Sequence, residues 1–242
     1  MQLTDNKIEE IENDAFVGLY GLNSLSLCGN HISQVKKETF KGMPALEKLN
    51  LNNNKISLID SSTFQLLRGL KYLYLGSNKL SNIPSDIFTK VPYVVHLDMS
   101  NNGIDSLPPD LFKSLKLTFL DLKQNKFRIL EKGTIPFAPE LQNLDLNNNE
   151  ITDIKPGAFD GIKTLWTLNL SNNKLNHIAL DAFNGGTEIV TLDLSNNTIT
   201  DVDPTIFDKI PELQQLNIER NKLDLKVLET IYVKFPNPEQ FV

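Results

Sequence analysis

Cysteine is almost absent from this sequence: Cys28 stands alone among 242 residues. A single thiol excludes any internal disulfide, and with it the class of small secreted domains stapled by several bridges. Histidine is nearly as scarce. His31, His96 and His177 are the only three, and they occupy different positions of different segments, so no histidine-based triad or metal cluster assembles from them. No apolar run of membrane-spanning length occurs, so no segment reads as a transmembrane helix. Positive charge is in deficit, with 24 basic against 30 acidic residues and a formal net charge of −6. That balance argues against a nucleic-acid binder, which carries a basic face. A phosphate-cradling glycine loop is missing too. No secretion signal is visible, because Met1-Gln2 leads straight into the pattern described next. The expectation is a piece of a larger protein, with Met1 introduced at the cut.

What is abundant is asparagine at a fixed interval. Asn6, Asn30, Asn54, Asn78, Asn102, Asn125, Asn149, Asn173, Asn197 and Asn221 are spaced by 24 residues, with one interval of 23. A period of this size signals stacked repeats, about ten here, and one elongated domain over 1–242. Ahead of Asn54 stand Leu46, Leu49 and Leu51, with Ile56 after it; ahead of Asn173 stand Leu165, Leu168 and Leu170, with Leu175 after it. Five residues beyond the asparagines comes an aliphatic, as at Ile59 and Ile154, and ten beyond comes phenylalanine, as at Phe40, Phe64, Phe88, Phe112, Phe159, Phe183 and Phe207.

The leucines around each strand position alternate with period 2, which predicts a short half-buried strand whose intervening residues point outward. The asparagine then turns the chain. Its side-chain amide both donates and accepts, so the column Asn30, Asn54, Asn78, Asn102, Asn125, Asn149, Asn173, Asn197 and Asn221 is expected to satisfy backbone groups freed at each turn. The return segment lacks a helical period and predicts loops and short 3₁₀ turns. Stacking gives one continuous core, with parallel strands on the inside of a curve and a phenylalanine spine within the outer wall.

This pattern, LxxLxLxxNx[LI] followed by aliphatic and phenylalanine, resembles the extracellular leucine-rich repeat proteins of the typical 24-residue type. The resemblance covers nearly all of residues 1–225. Relatives of that type include Toll-like receptor ectodomains, jawless-vertebrate variable lymphocyte receptors, small leucine-rich proteoglycans and neuronal adhesion molecules. It implies a right-handed, curved α/β solenoid with a parallel sheet on the concave face and loops or 3₁₀ turns on the convex side. It also implies an extracellular setting, secreted or as the ectodomain of a membrane protein. Members usually carry cysteine-rich caps, which this chain lacks.

The pattern breaks in few places. One residue is missing between Phe112 and Leu117, and Ile135 replaces the phenylalanine before Pro136, Phe137 and Pro139. This zone reads either as a loop change on the outer wall or as a local change of curvature. The chain opens inside a repeat, with Leu3 three residues before Asn6. At the other end, 222–242 reads as a divergent last repeat or a C-terminal cap, with a short helix over Leu225–Phe235 stopped by Pro236 and Pro238.

Outward residues of the strands owe nothing to the core, so unusual chemistry there is informative. Tyr72, Tyr74, His96 and Phe119 fall on three consecutive strands, next to Asp98, Asp121 and Asp145. Exposed aromatics beside polar groups are the material of binding hot spots, although aromatics also suit strands by propensity. The acidic column reads either as a solvated face or as one that welcomes a basic partner. Calcium does not suit a flat face, and an open face gives no water-excluded reaction site. The expectation is therefore no enzyme, no cofactor and no metal, but a protein ligand on the concave face, in innate immune recognition by analogy with the relatives. The alternative is a matrix or adhesion scaffold that forms a homodimer through the same face. Two N-glycosylation acceptors, at Asn169 and Asn196, accompany this reading. Cys28 is expected to face outward, either as an incidental small residue or as a thiol that bridges to a partner.

Overall fold

A computed structural model describes residues 1–184 and 188–235. The chain divides into two compact units, Met1–Asp121 and Leu122–Val242. In the first, β1 (Ser24–Ser26), β2 (Lys48–Asn50), β3 (Tyr72–Tyr74), β4 (His96–Asp98) and β5 (Phe119–Asp121) form one parallel ladder in sequence order. Leu25, Leu49, Leu73, Leu97 and Leu120 are mutual register partners and are wholly buried.

The second unit repeats the design. Its strands are β6 (Ile129–Leu130), β7 (Asn143–Asp145), β8 (Asp153–Ile154), β9 (Thr167–Asn169), β10 (His177–Ile178), β11 (Thr191–Asp193), β12 (Asp201–Val202) and β13 (Gln215–Asn217). The ladder order is β7-β9-β11-β13. Two short parallel pairs, β6 with β8 and β10 with β12, lie in the return segments. They centre on the regular aliphatic column, where Leu130, Ile154, Ile178 and Val202 are buried. A 3₁₀ turn at Lys37–Phe40 and another at Pro204–Lys209 carry two of the buried phenylalanines. Phenylalanines of successive coils stack in register, Phe40 on Phe64, Phe88 on Phe112 and Phe159 on Phe183, with centroids 6.1–6.4 Å apart.

Residues 225–234 form the helix α1 (Leu225–Lys234), whose N-cap Asp224 accepts from the Val227 amide at 2.9 Å. Ile231 is its buried residue, and Phe235 meets Phe207 edge-on at 5.6 Å. Pro236 and Pro238 lie outside the described residues. In the irregular zone Ile135 is buried in the phenylalanine's place, while Phe137 is half exposed.

Within each unit, side-chain amides hold one coil to the next. Asn78 is representative: its Nδ2 donates to the carbonyls of Leu75 and Leu51, both at 3.0 Å, and of Gly76 at 3.2 Å. Its Oδ1 accepts from the Ile56 amide at 2.9 Å. One neutral group thus bonds backbone of its own coil and of the one before. Asn30, Asn54, Asn102, Asn149, Asn173, Asn197 and Asn221 do the same. The residue before each ladder asparagine takes the left-handed conformation: Asp5, Gly29, Asn53, Ser77, Asn101, Gln124, Asn148, Asn172, Asn196 and Arg220 all have positive φ. Asparagine and glycine tolerate that conformation best, which accounts for the Asn-Asn pairs.

Replacing Asn78 by alanine leaves buried backbone groups of two coils without partners, and is expected to lower the unfolding free energy by about 1–3 kcal/mol. Arg220→Gly, at an exposed residue with φ 54°, is expected to leave it unchanged or raise it by up to about 1 kcal/mol. Chemical denaturation of both variants checks the pair.

Candidate functional site

Ladder strands end on a side chain that folds back onto its own turn. The Oδ1 atoms of Asn50, Asp98, Asp145, Asn169, Asp193 and Asn217 each accept the amide two residues on, at 2.9–3.2 Å. This is the Asx turn, a local bond that caps the chain as it leaves the strand. The open acidic column expected from the sequence is therefore corrected. Asp98 and Asp121 are only 9% and 6% exposed. Asp98 also accepts from the Ser100 hydroxyl at 2.7 Å and from Asn52 Nδ2 at 2.8 Å. Asp145 is half-buried and takes both the amide and the Nδ2 of Asn147. The chain's own donors draw the Asp98 and Asp145 carboxylates onto the turn.

Two strands of the first ladder end on neither Asp nor Asn, β1 on Ser26 and β3 on Tyr74. β3 ends on Tyr74, whose ring cannot cap the Gly76 amide. Asn52 of the preceding coil does so instead, its Oδ1 accepting from Gly76 at 2.6 Å while its Nδ2 reaches Asp98. The substitute bond needs room. A Cβ on residue 76 would lie 2.6 Å from Ser100 Oγ and 2.8 Å from Asp98 Oδ1, closer than such atoms approach. A side chain there would force Ser100 and Asp98 off their present hydrogen bond.

The displaced capping position is used to show a ring. Tyr72 and Tyr74 lie on β3, His96 on β4 and Phe119 on β5, and Lys48, Tyr72, His96 and Phe119 are successive register partners. His96 is the hub. It stacks flat on Phe119 at 4.2 Å and an interplanar angle of 1°, and lies 5.1 Å from Tyr74 and 6.1 Å from Tyr72. Lys48 Nζ sits 5.2 Å from the centre of the Tyr74 ring. Tyr72 is 40% exposed, and Tyr74, His96 and Phe119 are half-buried. Cross-strand aromatic pairs also support the sheet, but half-exposed ring faces remain for contact.

Electrostatics at the hub follow from this packing. Burial holds the His96 imidazole below the usual histidine value of 6.5, and Lys48 pushes the same way, against the upward pull of Asp98 and Asp121. The patch thus centres on an imidazole biased toward its neutral form, with two carboxylates close by.

The repeat pattern can now be matched to known proteins. The sequence profile of the Leucine rich repeat family matches residues 20–80, 68–127, 129–175, 139–191 and 165–223. The chain belongs to the leucine-rich repeat family. A comparison with curated protein sequences finds no match. Among solved structures, this leucine-rich repeat chain is similar to the TLR13 chain of a TLR13–ssRNA13 complex, with 29% identity and a TM-score of 0.78 over 85% of this chain and 29% of that one. It is similar to a chain of the Drosophila Toll–Spatzle complex, with 26% identity and a TM-score of 0.82 over 95% of this chain and 32% of that one. A chain of the octameric complex of Latrophilin 3, Unc5D and the leucine-rich repeats of FLRT2 matches at 25% identity and a TM-score of 0.80, over 100% of this chain and 74% of that one. The chain therefore spans under a third of the two Toll-type chains. The matching family is a repeat scaffold, not an enzyme family.

The remaining candidates lie elsewhere on this leucine-rich repeat chain. Asn169 ends β9 with its Oδ1 taken by the Ser171 amide and hydroxyl, and Asn196 occupies a left-handed position. Cys28 is half-buried, 3.6 Å from Asn53 Nδ2. Among the described residues no group of three His, Cys, Asp or Glu side chains could hold a metal ion, and no helix is long and apolar enough to cross a membrane.

Two variants test the site's construction. Gly76→Ala crowds Asp98 and Ser100 and is expected to cost about 1–3 kcal/mol in denaturant unfolding. For His96, the unfolded chain binds a proton more readily than the folded one. Its contribution to stability is therefore full above pH 6.5 and is lost as pH falls through the lowered folded value. Melting temperatures across that range are expected to fall less steeply for His96→Gln than for the natural sequence.

Proposed function

We propose that this chain is a non-catalytic recognition module that binds a protein partner through the outward face of the first ladder, with Tyr72, Tyr74, His96 and Phe119 as its anchors. The observation that carries the reading is the exception at β3. Turn capping by Asp or Asn recurs along both ladders, yet Tyr74 gives it up, and Asn52 and Gly76 are arranged to compensate. A coil selected for folding alone has no reason for that exchange. A coil that shows an aromatic ring to a partner does.

The setting we infer is extracellular, in innate immune recognition, and it rests on likeness. The Toll chain is in complex with Spatzle and the TLR13 chain with single-stranded RNA. Of those two ligand classes, protein fits this chain better, because its net charge of −6 opposes nucleic acid. Asp98 and Asp145 are primarily turn caps in this reading, and the rings supply the contact area. The likeness to a chain of an octameric complex keeps a second reading, an adhesion scaffold that dimerises through the same face.

Capture of a partner from extracellular fluid by the natural chain, compared with the Tyr72→Ala/Tyr74→Ala/Phe119→Ala variant, tests the assignment. Recovery is expected to drop at least about tenfold, as anchors of this type contribute more than 1 kcal/mol each. Equal recovery would refute it. Light scattering on a dilution series separates the second reading: a dimer that the same triple variant abolishes would favour the scaffold.

A further inference from the structure

Two asparagines of the second unit head an acceptor triplet for amide-linked glycans, Asn169-Leu170-Ser171 and Asn196-Asn197-Thr198. Asn196 stands apart among its equivalents. It is one of five asparagines that take the left-handed conformation just before a ladder asparagine. The other four use their Nδ2: Asn53 points it at Cys28 Sγ at 3.6 Å, Asn101 donates to Ser77 Oγ at 3.0 Å, Asn148 to Asn147 Oδ1, and Asn172 to Ser171 Oγ at 3.3 Å. The Nδ2 of Asn196 donates to nothing among the described residues.

Asn169 sits at the outward end of β9. Its Oδ1 accepts from the Ser171 amide at 3.0 Å and from the Ser171 hydroxyl at 2.7 Å. Its Nδ2 likewise donates to nothing among the described residues. A glycan attaches through Nδ2 and leaves Oδ1 an acceptor, so the turn cap survives the modification. The surroundings suit a hydrated sugar. The outward residues of β7, β9 and β11 are Asn143, Asp145, Thr167, Asn169, Thr191 and Asp193, all polar and all partly exposed. In the first ladder the same rows hold Tyr72, Tyr74, His96 and Phe119. Trp166, the exposed aromatic nearby, precedes β9 and lies outside these rows.

We propose that Asn169 and Asn196 each carry an N-linked glycan, which makes the outward face of the second ladder a sugar-covered surface and leaves protein recognition to the first. In the transfer, the asparagine Nδ2 forms a bond to the anomeric carbon of a lipid-pyrophosphate-linked oligosaccharide. The bond from that carbon to the pyrophosphate oxygen breaks, the lipid pyrophosphate leaves, and the amide loses one proton. Nothing is oxidised or reduced. The inference rests on the extracellular reading, because the transfer takes place in the secretory pathway. It gives the polar ladder a task, since a bulky, solubilising group there keeps other surfaces away.

The test expresses the whole chain behind a secretion leader in animal cells. An amidase that removes N-linked glycans leaves aspartate at each occupied site, and peptide mass spectrometry reads it. Both asparagines are expected to be converted in most molecules, whether the chain is taken from the medium or from the secretory compartments. Two variants keep the fold while removing the sites. Asn169→Asp puts on β9 the residue that already ends β7 and β11, and Asn196→Gln follows Gln124, which takes the equivalent position at φ 56°. Each is expected to lose one glycan and to keep its circular-dichroism spectrum. Coverage is read at Thr191→Cys in a Cys28→Ser background: a bulky maleimide is expected to label it several-fold more slowly in the glycosylated chain than in the Asn169→Asp/Asn196→Gln variant. Either site empty in most molecules, or equal labelling rates, would overturn the proposal. Empty sites beside a triple aromatic variant that loses its captured partner leave the recognition face standing. Occupied sites beside a triple variant that captures as well as the natural chain leave the glycans standing and remove that face.

Discussion

A primary amide can donate twice and accept at the same time without carrying charge, and each turn of this chain is closed by one. The requirement is severe because a coil of this kind leaves its strand after only three residues, with carbonyls pointing inward and no next strand residue to meet them. Serine offers too few donors and a carboxylate offers none. Asn78 meets both sides of the demand at once, reaching the carbonyls of Leu75 and Leu51 and the amide of Ile56. The leucine core, the phenylalanine stacks and the strand register all presuppose that these turns are closed without a buried unsatisfied group.

Beyond that interior column, the strand face divides its work. The strand-end residue can cap its own turn or present a side chain outward, and Asp or Asn does the first. Tyr74 does the second, and the cost is moved to neighbours: Asn52 reaches forward one coil, and Gly76 gives up its side chain so that Asp98 and Ser100 can close in. The surrounding rings follow from register. His96 on β4 lies diagonally from Tyr74 and directly beside Phe119, so three strands of otherwise ordinary repeats bring four aromatic side chains together.

Much of this was legible in the residues. The 24-residue interval gave the strands, the asparagine column and the phenylalanine positions, because each is a demand that every coil repeats. The outward placement of Tyr72 followed from period-2 alternation. The occupation of Asp98 and Asp121 was not legible, since alternation says which face a residue lies on and nothing of how deeply its own turn covers it. A signal was nonetheless present. Asp or Asn recurs at the strand end in Asn50, Asp98, Asp145, Asn169, Asp193 and Asn217, a preference for turn capping more than for charge. The left-handed residues were likewise written as Asn53, Asn101, Asn148, Asn172 and Asn196 beside the ladder. Ser77, Gln124 and Arg220 obscured that rule because backbone closure imposes the conformation whatever the residue. The short pairs β6–β8 and β10–β12 were hidden because two residues are too few to display a period.

Most capping bonds here span two residues and stay inside one coil, so a repeat could be exchanged for another with its turn intact. The Tyr74 coil lacks that independence. Its closure borrows an amide from the coil before and a vacated Cβ position against the coil after, which ties three neighbours into one inheritable block. A graft of the tyrosine alone into another repeat would carry the ring and leave its support behind, whereas Asn52, Tyr74, Gly76 and Asp98 moved together would bring both.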